Sequence, residues 1–90
     1  MKSIIISGIS NSRYVIRGSF KLYDTYGFSL ADLLLAGYLP DWLNFYADAL
    51  RHGWTFDQIF RYIVVAIKDS GSNVDANIII NRLKGHVLDL

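Results

Sequence analysis

Apolar residues change their spacing part-way along this chain, alternating near its start and recurring at helical intervals afterwards. Residues 3–7 (Ser-Ile-Ile-Ile-Ser) are short and β-branched, and the stretch from Gly8 to Ser12 is rich in turn formers. From Arg13 to Tyr23 the alternation is clean. Tyr14, Ile16, Phe20 and Leu22 fall on one side, and Arg13, Val15, Arg17, Ser19, Lys21 and Tyr23 on the other. The pattern predicts an antiparallel β-hairpin over residues 1–24, with Gly18 marking a bulge or bend.

Helical punctuation takes over after that. Ser29 with Asp32 has the form of a capping box and opens a short helix carrying Leu30, Leu33, Leu34 and Tyr38, stopping near Gly37. Pro40 suits the first position of a second helix, with Asp41 beside its N-terminal dipole. Its Trp42, Leu43, Phe45, Tyr46, Ala47, Ala49 and Leu50 cover an arc of roughly 200° at 100° per residue, wider than one neighbour needs. Gly53 is placed to end that helix, and Thr55 with Gln58 forms a second capping box, with Trp54 positioned to staple onto Ile59. A third helix over Phe56–Lys68 is expected at the centre of the core, with Ile63 buried and Val65 on its polar side. After Ser70-Gly71-Ser72-Asn73, the residues Ala76, Ile79, Ile80, Leu83 and Val87 line a fourth helix, although three consecutive isoleucines also suit a strand. The expected fold is therefore α+β: a hairpin followed by about four helices packed as a helical body over residues 28–88, in one domain of residues 1–90.

Composition narrows the function classes. At 52% hydrophobic and 19% charged residues, the chain is expected to fold as a soluble globule. It has no cysteine, which excludes disulfides and thiolate metal sites and fits a reducing compartment, hence a cytoplasmic location. Three isoleucines after Lys2 are too short for a signal peptide, and no apolar run approaches the ~20 residues of a membrane span. The net charge is +1, but residues 1–23 carry four cations and no acid, whereas residues 24–60 carry five aspartates against Arg51 alone. That asymmetry fits either internal complementarity between hairpin and helices or a basic surface offered to an acidic partner.

Three constellations carry candidate chemistry. Arg13, Arg17 and Lys21, with Tyr23 on the same predicted strand face, recur every four residues, about 13 Å apart when extended, a spacing suited to nucleic-acid phosphates or to an ordinary solvated face. Ala49, Gly53, Trp54, Ile59 and Tyr62 have the offsets of a helix-turn-helix around Gly53, but the second helix would expose Asp57, Gln58, Arg61, Val65 and Lys68, a nearly neutral face. Asp48 and His52 stand one helical turn apart without a nucleophile motif, and His86 is the only other histidine, so neither catalytic nor metal-binding residues are assigned. The seven glycines are scattered and form no phosphate loop, so no cofactor is implied.

Phe20 to Leu30, FKLYDTYGFSL, resembles a segment of alanyl-tRNA synthetases that usually continues with proline where this chain has Ser29. The resemblance covers 11 of 90 residues, is accompanied by no class II synthetase motif, and implies no activity or site residue. The expectation is a small non-enzymatic interaction protein of the kind found among phage or mobile-element accessory proteins. It is expected to form a homodimer, or to dock on another protein, through Trp42, Phe45 and Trp54, because the two wide helical arcs exceed the cover a hairpin supplies. The alternative is a nucleic-acid-binding domain using the basic stripe or the Gly53 turn.

Overall fold

Gly18 decides where the sheet ends. It sits at φ 78°, a left-handed conformation that a strand cannot continue through, and its N–H donates to Asn44 Oδ1 at 2.8 Å. The computed structural model describes residues 5–10 and 12–85. Within them β1 (Ile5–Ser10) pairs antiparallel with β2 (Arg13–Arg17), and α1 (Ser19–Tyr26) begins directly after Gly18. The expected hairpin is present, but its second strand stops at Arg17, and residues 19–23 are helical. Ser3, Ile4 and Asn11, which were expected in the first strand and its turn, lie outside the described residues.

Helical phase explains why α1 wins over the strand alternation. Positions 20 and 22 share a face on a strand but lie about 200° apart on a helix, while position 23 comes back to within about 60° of position 20. Phe20 therefore enters one buried cluster and Leu22 another. The larger cluster joins Phe20 to Leu30 and Leu34, Phe45 and Ala49, Ile59 and Ile63, and Ile79 and Leu83; the smaller holds Ile16, Leu22 and Leu33, with Phe28 and Tyr38 against it. The helix ties the sheet to the helical body.

The capping signals act as the sequence predicts. In α2 (Leu30–Leu35), Asp32 N–H donates to Ser29 Oγ at 3.1 Å and Ser29 N–H to Asp32 Oδ2 at 3.0 Å. In α4 (Phe56–Ser70), Thr55 and Gln58 make the same reciprocal pair. Leu39–Pro40 is not a helix start but a short strand, β3, running parallel to Val15–Ile16 in a sheet ordered β1-β2-β3. Proline tolerates this edge because it has no N–H to leave unpaired. Asp41 then caps α3 (Trp42–Arg51), its Oδ1 accepting Asn44 N–H at 3.1 Å. The isoleucine run folds as a helix, α5 (Ala76–Lys84), burying Ile79 and Leu83 and exposing Ile78; Val87 lies outside the described residues. The fold is α+β as expected, with five helices and a mixed sheet. Ile63 is fully buried on α4. No described helix is long and apolar enough to cross a membrane.

Candidate functional site

The sheet carries two chemically different faces. Arg13, Val15 and Arg17 alternate onto one of them, joined by Ser10, the cross-strand partner of Arg13. Tyr14 and Ile16 alternate onto the other, facing Ile9 and Ile6 respectively. Ile6 and Ile9 are three residues apart and would point oppositely in a regular strand. A bulge between Ile6 and Gly8 inserts one extra residue and returns both isoleucines to the Tyr14 side. Ile16 at the inner end of that face is fully buried, whereas Ile6, Ile9 and Tyr14 are 54%, 69% and 50% exposed. The apolar face thus runs outward beyond the core.

On the opposite face, a groove of about 570 Å³ opens between the sheet and α5. Val15 and Leu39 form its sheet side, Trp42 and Leu43 its end at α3, and Ile79 and Leu83 its wall on α5. Three polar side chains also line it: Ser10, Asp41 and Arg82. The Asp41 carboxylate is engaged with the α3 N-terminus, while Arg82 has no acidic partner among the described residues, where the one ion pair is Arg51 with Asp48 at 2.8 Å. Arg13 and Arg17 lie on the same sheet face as Val15, so the groove is flanked by cations. A shallower concavity of about 350 Å³ is lined by Trp54, Gln58, Arg61, Tyr62 and Val65.

Of the expected interface anchors, Phe45 is buried in the core of a single chain, whereas Trp42 and Trp54 are half-buried against that core. Phe45 is fully buried; its ring lies 5.8 Å from Phe20, 5.7 Å from Tyr62 and 6.2 Å from Trp54. Trp54 packs edge-on against Phe20 and Tyr23, and Trp42 is half-buried against the same core. The cover that the sequence failed to show for these rings comes from α1. Phe45 is therefore closed to a partner, and Trp54 presents only the surface left by its ring contacts.

The basic stripe is divided. Arg13 and Arg17 remain on β2, but Lys21 is carried onto α1, and Tyr23 turns inward with its ring 5.1 Å from Tyr62. Helices α3 and α4 do meet through a turn at Gly53, whose φ is 89°. The outer surface of α4 holds Asp57 and Asp69 together with Arg61 and Lys68, all exposed, and so lacks a net positive charge. Asp48 and His52 are not a proton-transfer pair: His52 Nδ1 lies 2.8 Å from the Asp48 backbone carbonyl, and the Asp48 carboxylate takes Arg51. The His52 ring instead packs against Phe20, tilted by 32° with centroids 4.5 Å apart. No three His, Asp or Glu side chains among the described residues gather where a metal would bind. His86 lies outside the described residues.

Burial pushes the Tyr62 phenol above its ordinary 10.0, and Leu30 N–H donates to its Oη at 3.2 Å, opposing that shift. This hydroxyl joins α4 to the start of α2 and is structural. Sequence reasoning missed Ile6, Ile9 and Arg82. Gly8 within a β-branched run was the available signal for the bulge that aligns the two isoleucines. No protein-family model matches this chain, and neither curated proteins nor solved structures show significant similarity to it.

Proposed function

We propose that this chain is a small non-enzymatic interaction domain that pairs with a second copy of itself through the Ile6, Ile9 and Tyr14 face of its hairpin. The observation that supports the reading is the alignment of those three exposed side chains by the bulge. An extended apolar face on a single element is typical of surfaces that become covered. Its arginines point to the opposite side of the sheet, so two copies meeting face to face bring apolar groups together without opposing like charges. The same bulge twists the β1 edge and disfavours edge-to-edge pairing, which leaves face packing as the mode. The cysteine-free composition fits a reducing, cytoplasmic setting.

Sedimentation equilibrium over the micromolar range is the direct test. The wild type is expected to show a concentration-dependent dimer, and the double variant Ile9→Ser, Tyr14→Ser a monomer with an unchanged circular dichroism spectrum. A wild type that stays monomeric throughout removes the proposal, as does a dimer that survives the double variant.

A further inference from the structure

We infer that the groove between the sheet and α5 is a receptor for an acidic, apolar peptide segment of a partner protein, with Arg82 taking a carboxylate of that segment. This site is on the other side of the hairpin from the self-pairing face and does not depend on it.

The groove has the make-up of a recognition site: apolar sides with a few polar groups at defined places, in the size range of pockets that hold whole side chains. Val15, Leu39 and Ile79 offer aliphatic surface, and Trp42 an aromatic wall. These residues come from the sheet, the start of α3 and α5, elements that the core holds together. Charge selects the occupant. Arg82 stands in the lining without an acidic partner among the described residues, and Arg13 and Arg17 lie on the flanking sheet face. The only lining carboxylate, Asp41, is committed to capping α3. A basic segment would meet like charge on both sides, whereas an acidic one finds a guanidinium able to bind a carboxylate through two parallel hydrogen bonds. The apolar sides require that the segment also bring one or two large hydrophobic side chains, since carboxylates alone would leave the groove wet. A nucleic acid would use the arginines and ignore the apolar sides.

The 90-residue chain, labelled with nitrogen-15, can be titrated with an acetylated decapeptide in which leucine and phenylalanine alternate with aspartate. A second peptide with lysine in place of aspartate and an oligothymidylate of ten nucleotides serve as controls. The acidic peptide is expected to give saturable amide shifts at Val15, Leu39, Ile79 and Arg82, and to bind about tenfold more tightly than the lysine peptide. Arg82→Glu is expected to reverse that preference. Because Arg82 is exposed, this variant should keep its fold, which its unperturbed spectrum verifies. Ile9→Ser, Tyr14→Ser should bind the acidic peptide as the wild type does, so failure of self-pairing and failure of this site are separately visible. The inference is overturned if the acidic peptide gives no saturable shifts at these amides, if both peptides bind equally, if Arg82→Glu leaves the preference intact, or if the oligothymidylate binds this face more tightly than the acidic peptide does.

Discussion

Tyr23 tests the register of α1 more sharply than any other position, because a helix and a strand place it on opposite sides of the element. On a strand it would share a face with Lys21 and point away from Phe20. On the helix it lies near Phe20 and reaches the Trp54 and Tyr62 rings, at 6.0 Å and 5.1 Å. Truncation to alanine removes two aromatic contacts, each contributing about 0.5–1.5 kcal/mol. It also exposes or empties a half-buried side chain whose burial of about 100 Å² is worth about 2.5 kcal/mol at 25 cal/mol per Å². Alanine's better helix propensity returns about 0.5 kcal/mol. The net loss expected for Tyr23→Ala is therefore about 3–5 kcal/mol.

Urea unfolding followed by tryptophan fluorescence and by circular dichroism measures this directly, provided the slope of free energy against urea is unchanged. Phe20→Ala should cost about 3–5 kcal/mol, because that ring is 2% exposed and closes on Phe45, His52 and Trp54. Lys21→Ala, on the exposed side, should stay within about 0.5 kcal/mol of the wild type. The decisive comparison is between Tyr23 and Lys21. If both substitutions are equally harmless while Phe20→Ala remains costly, residues 19–23 are extended and the reasoning about α1 fails.

Two further outcomes follow from buried hydroxyls. Ser19 Oγ is buried without a hydrogen-bond partner in a residue 2% exposed, so Ser19→Ala should leave stability equal to or above the wild type in the same unfolding assay. Tyr62 has a folded-state pKa raised by burial, so its contribution is fully present below pH 10.0 and is lost as the pH climbs through the raised value; Tyr62→Phe should flatten the alkaline fall in stability.

The parts of the fold legible in the sequence were those that a few neighbouring residues determine. Ser29 with Asp32, and Thr55 with Gln58, announce their helices because each pair satisfies backbone N–H groups within a single turn, with no help from elsewhere. Helix α4 was legible for a related reason: its buried Ile59, Ile63, Ala66 and Ile67 repeat at three and four residues, a period no strand can share. The segment at 19–23 lacked that protection. Phe20 and Leu22 satisfy a strand that buries one face, and they equally satisfy a helix wedged between two clusters, so their spacing cannot separate the two. What separates them is Tyr23 packing on Trp54 and Tyr62, a contact spanning more than thirty positions of sequence, together with the Gly18 N–H held by Asn44.

The expectation that Phe45 and Trp54 lie bare at the surface follows from the same ambiguity. With residues 19–23 read as strand, Phe45 and Trp54 lacked cover and looked like surface anchors; once α1 supplies Phe20 and Tyr23, those rings are accounted for within one chain. Shortening the second strand to Arg17 also moves Lys21 off the sheet, leaving Arg13 and Arg17 around Val15 on the groove side. The charge asymmetry visible in the sequence then takes on a different meaning. Arg13, Arg17 and Lys21 no longer form one evenly spaced row, because Lys21 is carried onto α1. Two arginines on the sheet and a third on α5 instead flank a shared apolar cleft, a geometry set by the packing of α5 that no spacing within residues 13–23 could have revealed.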